Sequence, residues 1–248
     1  MNRLFVIIII IGVAVGVCAQ ERTVQNKPYI DLRPMHFGIL VGFHAQDIEF
    51  KNVGPQTFVA EDGTESVQTI LCDQDTWNPG FSVGVLADLR LGAHLNFRIT
   101  PTMHFGAKRL TFRNLSQMNE AGNAPLEIWQ DMKNTYISVP LDLKFSAERF
   151  NNYRPYIMAG INPMINLSGK AQDYMQLKRY DAMIEVGLGC DLYLPFFKLI
   201  PELKFCYGLT DVVDHHHATE LTDINKRAYA NSVASARSKM IVLTFYFE

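Results

Sequence analysis

Two runs near the carboxyl end decide the fold. They are Ala182-Met183-Ile184-Glu185-Val186-Gly187-Leu188-Gly189-Cys190-Asp191-Leu192 and, after a short break, Leu199-Ile200-Pro201-Glu202-Leu203-Lys204-Phe205-Cys206-Tyr207. In the first, Ala182, Ile184, Val186, Leu188, Cys190 and Leu192 share one face, while Met183, Glu185, Gly187, Gly189 and Asp191 share the other. The second sets Leu199, Pro201, Leu203, Phe205 and Tyr207 against Ile200, Glu202, Lys204 and Cys206. A period of two over this length is the mark of a strand with unlike faces. Little more than Leu194-Pro195 separates the two runs, so they form a hairpin.

Six further runs repeat the pattern: 36–45, 81–90, 94–105, 137–145, 154–165 and 240–247. Phe37, Ile39, Val41 and Phe43 share one side of the first, and Ile241, Leu243, Phe245 and Phe247 one side of the last. The eight runs are joined alternately by short links (Leu91-Gly92, Ala147 to Asn152, Leu194-Pro195) and long ones (51–79, 108–134, 167–177, 210–235). A sandwich of Greek keys has no reason to keep that rhythm, whereas an outer-membrane barrel has tight periplasmic turns and long outer loops. An even count also returns the carboxyl terminus to the periplasmic side, and the chain closes on Phe245-Tyr246-Phe247-Glu248. The expectation is an all-β, eight-stranded antiparallel transmembrane β-barrel. Pro101, Pro140, Pro155, Pro163 and Pro201 fall inside these runs and cannot donate to a ladder, so bulges or strand ends are expected there.

Composition agrees. Of 248 residues, 48% are hydrophobic and only 19% charged, with 16 Phe, 10 Tyr and 16 Gly. A net charge of -2 gives no footprint for nucleic acid. Beyond the first twenty residues no apolar run reaches the ~18 residues a spanning helix needs. Near the amino end, Arg3 precedes an apolar stretch from Leu4 to Val17, the pattern of a secretory signal peptide, with cleavage expected near Ala19. A lipidated Cys18 is the weaker alternative, because Val17 stands where a small residue is usual. The expected division is a signal peptide over 1–19, a periplasmic segment over 20–34 and an outer-membrane barrel over 35–248. Cys72 falls in a polar, loop-like stretch, and Cys190 and Cys206 on opposite strand faces, so three unpaired thiols are expected.

The polar faces point into the barrel. They carry Asp88, Asp142, Glu185, Asp191 and Glu202 against Arg90, Arg98, Lys144, Arg154 and Lys204, five acids and five bases. An eight-stranded interior is just wide enough for side chains to fill, and unpaired buried ions cost several kcal/mol. A salt-bridged plug is therefore expected, with Gly38, Gly42, Gly84, Gly160, Gly187 and Gly189 making room for it. His36, His44, His94 and His104 also fall on inward positions, on strands that are not neighbours. Trp77, Phe81, Tyr153, Tyr193, Phe196 and Phe197 read as an interfacial girdle.

Nothing in the chain composes a catalytic, cofactor or metal site. The nucleophile elbow Gly-x-Ser-x-Gly is absent, and Gly187-Leu188-Gly189-Cys190 lacks the third glycine and the helix of a dinucleotide site. His215-His216-His217 are adjacent in a loop, where three neighbours cannot face one ion well. A barrel enzyme acting on lipids lacks a nucleophile set.

These segments resemble one family, PorT, the outer-membrane barrel of the type IX secretion and gliding-motility apparatus of Bacteroidota. The likeness runs from about residue 29 to the end. It is carried by Arg33-Pro34-Met35-His36-Phe37-Gly38, Pro79-Gly80-Phe81-Ser82-Val83-Gly84, Leu95-Asn96-Phe97-Arg98-Ile99-Thr100-Pro101 and Asn151-Asn152-Tyr153-Arg154-Pro155-Tyr156. Gly160-Ile161-Asn162-Pro163, Glu185-Val186-Gly187-Leu188-Gly189-Cys190-Asp191, Phe197 to Phe205 and Ser238 to Phe245 continue it. The long outer loops resemble the family least. The resemblance implies a non-enzymatic component needed to secrete proteins with carboxy-terminal sorting domains, in contact with outer-membrane lipid and other parts of that apparatus. It supplies no catalytic residue and no small-molecule substrate. The alternative is a small OmpA/OmpX-like barrel serving envelope integrity, adhesion or passive permeation.

Overall fold

The computed structural model describes residues 24–59, 65–119, 122–168, 174–221 and 224–248. The expected signal peptide and its cleavage point lie outside them. Twelve strands form among the described residues: β1 (Met35–Asn52), β2 (Pro55–Val59), β3 (Glu65–Asp73), β4 (Asn78–Arg90), β5 (Leu95–Ile99), β6 (Thr102–Met118), β7 (Pro125–Ser138), β8 (Leu141–Ser146), β9 (Tyr153–Asn166), β10 (Tyr180–Tyr193), β11 (Lys198–Gly208) and β12 (Val233–Phe247). All pairings are antiparallel. They run β10–β11–β12–β1–β4–β5–β8–β9, and β9 pairs with β10 again.

Two features raise the count above eight. Proline has no amide hydrogen, and the ladder breaks at Pro101, between β5 and β6, and at Pro140, between β7 and β8. The carbonyls there stay in use: Val85 donates to Pro101 at 3.0 Å and Thr100 to Pro140 at 3.2 Å. Pro155, Pro163 and Pro201 lie within unbroken strands. The second feature is the β2–β3 hairpin, built inside the first long connection.

The loops expected over 51–79 and 108–134 are thus largely strand. Strands β6 and β7 continue to Met118 and from Pro125, and Cys72, expected in a loop, is buried in β3. The last long connection holds two short helices, α1 (His217–Glu220) and α2 (Ile224–Ala230).

Polarity is inverted relative to a soluble protein. On β1, Phe37 and Phe43 are 67% and 66% exposed, while His36, His44 and Gln46 between and beyond them are buried. Such a wall is stable only against a non-aqueous medium. The inversion ends along the strand. Past Ala45 the outward positions of β1 become Asp47, Glu49 and Lys51, and Ile48 turns inward and is buried. Strand β6 changes at the same level: Met103 and Phe105 face out below, Arg109 and Arg113 above, and Leu110 and Phe112 are buried inside. Where the outer medium changes from hydrocarbon to water, the inward side stays inward and the two faces of the strand exchange polarity.

The inward glycines have specific neighbours. Gly160 stands opposite Asp142 on one side and Glu185 on the other, Gly187 opposite Lys204, and Gly189 opposite Glu202 and Tyr156. Each long polar side chain therefore lies over a residue with none. A Cβ on Gly160 would collide with the Asp142 carboxylate and the Leu141 carbonyl, whereas one on Gly92 would meet open space. Gly160→Ala is expected to cost about 1–3 kcal/mol by overpacking, seen as a lower temperature of loss of the compact, fast-migrating form on unboiled gels. Gly92→Ala should leave that temperature unchanged.

Candidate functional site

The interior between the sheet walls is the chemically distinctive region. Arg98, on β5, is fully buried. Its Nη1 donates to Glu202 Oε2 at 2.7 Å, and its Nη2 to Asp88 Oδ2 at 3.2 Å. Asn96 holds the second Asp88 oxygen at 2.5 Å. Tyr156 and Tyr246 donate to the two Glu202 oxygens at 2.5 and 2.7 Å, and their rings lie 5.3 and 4.9 Å from the guanidinium carbon. The guanidinium thus has carboxylates at its edge and aromatic faces nearby, a geometry that suits arginine and not lysine.

Two lysine centres extend the set. Lys204 Nζ lies 3.0 Å from Glu185, 3.4 Å from Asp142 and 3.4 Å from Glu202. Lys144 Nζ donates to both Asp191 oxygens at 2.7 and 2.8 Å and lies 4.1 Å from the centre of the Tyr156 ring. Eight of the ten residues proposed from sequence are therefore buried in one connected group. Arg90 and Arg154 are not in it. They are only half-buried and turn to the short-connection end, where Arg90 donates to the Gly92 and Leu32 carbonyls and Arg154 to those of Ala147 and Ala93.

Two members escaped sequence reasoning. Buried Lys198 lies 3.4 Å from Asp191 and 3.1 Å from Glu248, and Glu248 also pairs with His36. Their signal is present in the inward parity that Lys198 shares with Ile200 and Glu202, and in the Glu248 side chain, which continues the inward parity of Thr244 and Tyr246.

The histidines divide. His94 is exposed, and its ring nitrogen lies 2.9 Å from the Ser146 carbonyl. His44 and His104 are buried and meet across β4, ring centres 5.3 Å apart, although their strands are not paired. Small β4 residues allow it: Gly80 leaves the space that His44 occupies, and Ser82 Oγ stands 2.8 Å from His44 Nδ1 and 2.7 Å from His104 Nδ1. Strand adjacency is too strict a test where the intervening residues are small.

Tyr193 departs from the expected girdle. It is buried, donates to Asp31 at 2.8 Å and stacks 3.5 Å from the Arg149 guanidinium. Trp77, Phe81, Tyr153, Phe196 and Phe197 are exposed.

A second, apolar tier lies beyond the charged one. Ile48, Ile70, Leu110, Phe112 and Met132 from the strands pack with Met175, Leu177, Val213 and Tyr229 from the long connections. Gln130 clasps the backbone of Met175 through both amide atoms, at 2.8 and 3.0 Å. The histidine triplet is split. His215 lies 3.0 Å from Asp211, while His217 is buried at the start of α1. Burial works against the charge of Asp211, but the amides of Ala236 and Val213, with His215, hold its carboxyl below the usual range. Among the described residues no group of three or more His, Cys, Asp or Glu is placed to hold a metal. Cys72, Cys190 and Cys206 are unbridged.

The family described as outer membrane protein beta-barrel domain has a model that matches residues 18–214. The chain belongs to that family. Membership places this outer-membrane β-barrel protein against membrane lipid, in agreement with its apolar outer wall. No curated protein matches it. Among solved structures, OprG from Pseudomonas aeruginosa aligns at 12% identity over 91% of this chain and 97% of its own, with a TM-score of 0.49. Neisserial surface protein A aligns at 11% over 86% and 98%, with 0.42. Ail of Yersinia pestis aligns at 12% over 87% and 99%, with 0.36.

The charged tier of this outer-membrane barrel has a testable energetic signature. Arg98→Ala leaves Glu202 and Asp88 buried without their shared cation, a loss of about 3–5 kcal/mol. The same gel assay should show a clear fall in unfolding temperature for Arg98→Ala and for Glu202→Ala. Arg98→Met combined with Asp88→Asn and Glu202→Gln should recover much of the loss, because all three charges then leave together.

Proposed function

We propose that the protein is a non-enzymatic barrel of eight walls that serves type IX secretion of proteins with carboxy-terminal sorting domains. In this reading β5 with β6, and β7 with β8, each count as one wall, and β2–β3 is an outer-loop hairpin. Residues 1–19 are the cleaved export signal, 20–34 a periplasmic segment and 35–248 the barrel.

The observation that carries the reading is the filled interior. A charged tier around Arg98 and an apolar tier around Phe112 occupy the space a substrate would need. A barrel so filled acts through its surfaces: the lipid-facing wall, the outer loops and the rim at the short-connection end. The likeness of blocks such as Glu185 to Asp191 and Phe197 to Phe205 to PorT supports the choice of secretion among surface-acting roles. The periplasmic segment is fastened to that rim. Asn26 donates to Asn152 at 2.8 Å and to the Tyr193 carbonyl at 2.9 Å, and Arg149 bonds the Asn26 and Lys27 carbonyls. Partners in the apparatus would meet this rim.

A second reading, a small OmpA/OmpX-like barrel for adhesion or envelope integrity, is favoured by β6 and β7, which rise past the apolar band and expose Trp129. Clean deletion of the gene separates the two. The secretion reading expects cargo bearing the sorting domain to accumulate in the periplasm, with export restored by the wild-type gene. Normal export with defective attachment or a leaky envelope would favour the second.

A further inference from the structure

On the outer wall formed by β10, β11, β12 and β1, two hollows meet where the apolar band ends. The lower one has a volume of about 300 Å³ and is lined by Trp77, Ile184, Val186, Phe205, Tyr207 and Ile241, with Lys239 at its rim. The upper one, about 430 Å³, is lined by Glu49, Lys51, Ser235 and Arg237, and Tyr207 borders both. Pairing sets their heights. Ala45 faces Ile241, Asp47 faces Lys239 and Glu49 faces Arg237, so the hollows straddle the level at which the outward face of β1 turns from apolar to charged.

This end carries the long connections, which places the seat in the outer leaflet. Trp and Tyr favour headgroup depth, and cations just beyond them attract anionic headgroups. Three cations, Lys51, Arg237 and Lys239, outnumber the carboxylates of Asp47 and Glu49. Lys239 is held by Glu49 at 2.8 Å. Arg237 is exposed and stands across the ladder from Glu49; it makes no ion pair among the described residues, and its guanidinium lies 5.9 Å from the centre of the Tyr207 ring.

We infer that this wall is a seat for a phosphorylated, multiply acylated glycolipid of the outer leaflet. An acyl chain lies in the lower hollow, and a phosphate bridges Arg237 and Lys239 above it. Glu49 competes with the phosphate for Lys239. The inference rests on the outer-membrane barrel and is independent of the secretion reading.

Native mass spectrometry of the full mature chain, released from micelles doped with bisphosphorylated lipid A, tests this. Dephosphorylated lipid A and phosphatidylglycerol are run in parallel. Wild type should retain one bisphosphorylated lipid in preference to both. Arg237→Ala with Lys239→Ala should weaken retention about ten-fold, as two charge-assisted contacts are lost. Glu49→Gln should strengthen it, a gain that misfolding cannot produce, and Lys133→Ala on β7 should leave it unchanged. Equal retention by wild type and the double variant would overturn the inference. So would equal retention of the three lipids, which would reduce the wall to ordinary annular contact.

Discussion

Hydrocarbon around the wall leaves a charged side chain one direction to go. Between the short connections and the level of Ala45, charges on these strands turn inward, where a fixed space must accommodate them. The stable solution is mutual satisfaction. Arg98 sits among Asp88, Glu202, Tyr156 and Tyr246, Lys204 reaches three carboxylates, and Lys144 and Lys198 share Asp191. Much else in the molecule follows from fitting these groups. Glycines stand opposite the longest chains because two large side chains cannot share that depth, and Glu248 joins the last strand to the same network through Lys198 and His36.

The constraint also explains the two tiers. Above the membrane the outside is water, so the strands return to ordinary polarity, and Leu110 and Phe112 pack inward while Arg109 and Arg113 bind carboxylates at the surface. The interior is therefore ionic where the wall is lipid-bound and apolar where it is wet. Each tier closes the space by the chemistry its surroundings permit.

Sequence made the lower tier legible because period-two alternation is a local property. The parity of Asp142, Glu185 and Glu202 can be counted residue by residue. Parity does not report how far along a strand a residue lies, so it groups Arg90 and Arg154 with the network although they sit at its end and bond turn carbonyls. Tyr193 reads as girdle for a similar reason, since its tie to Asp31 depends on where the segment before β1 folds back. The outer half was least legible. The alternation of Leu110 and Phe112 with Arg109 and Arg113 is as regular as any below, but its sense is reversed, and a search for apolar-out strands passes over it. The packing of Met175 against Gln130 depends on loops whose course no periodicity describes.

The central claim is that two tiers of side chains close the interior. Purified protein reconstituted into planar bilayers at high salt tests it most directly, with ionic current as the readout. A closed interior predicts a baseline indistinguishable from protein-free membrane across the applied voltages. Discrete, long-lived conductance steps comparable with those of an open porin would contradict it, and would mean that the charged tier lines a path instead of filling one.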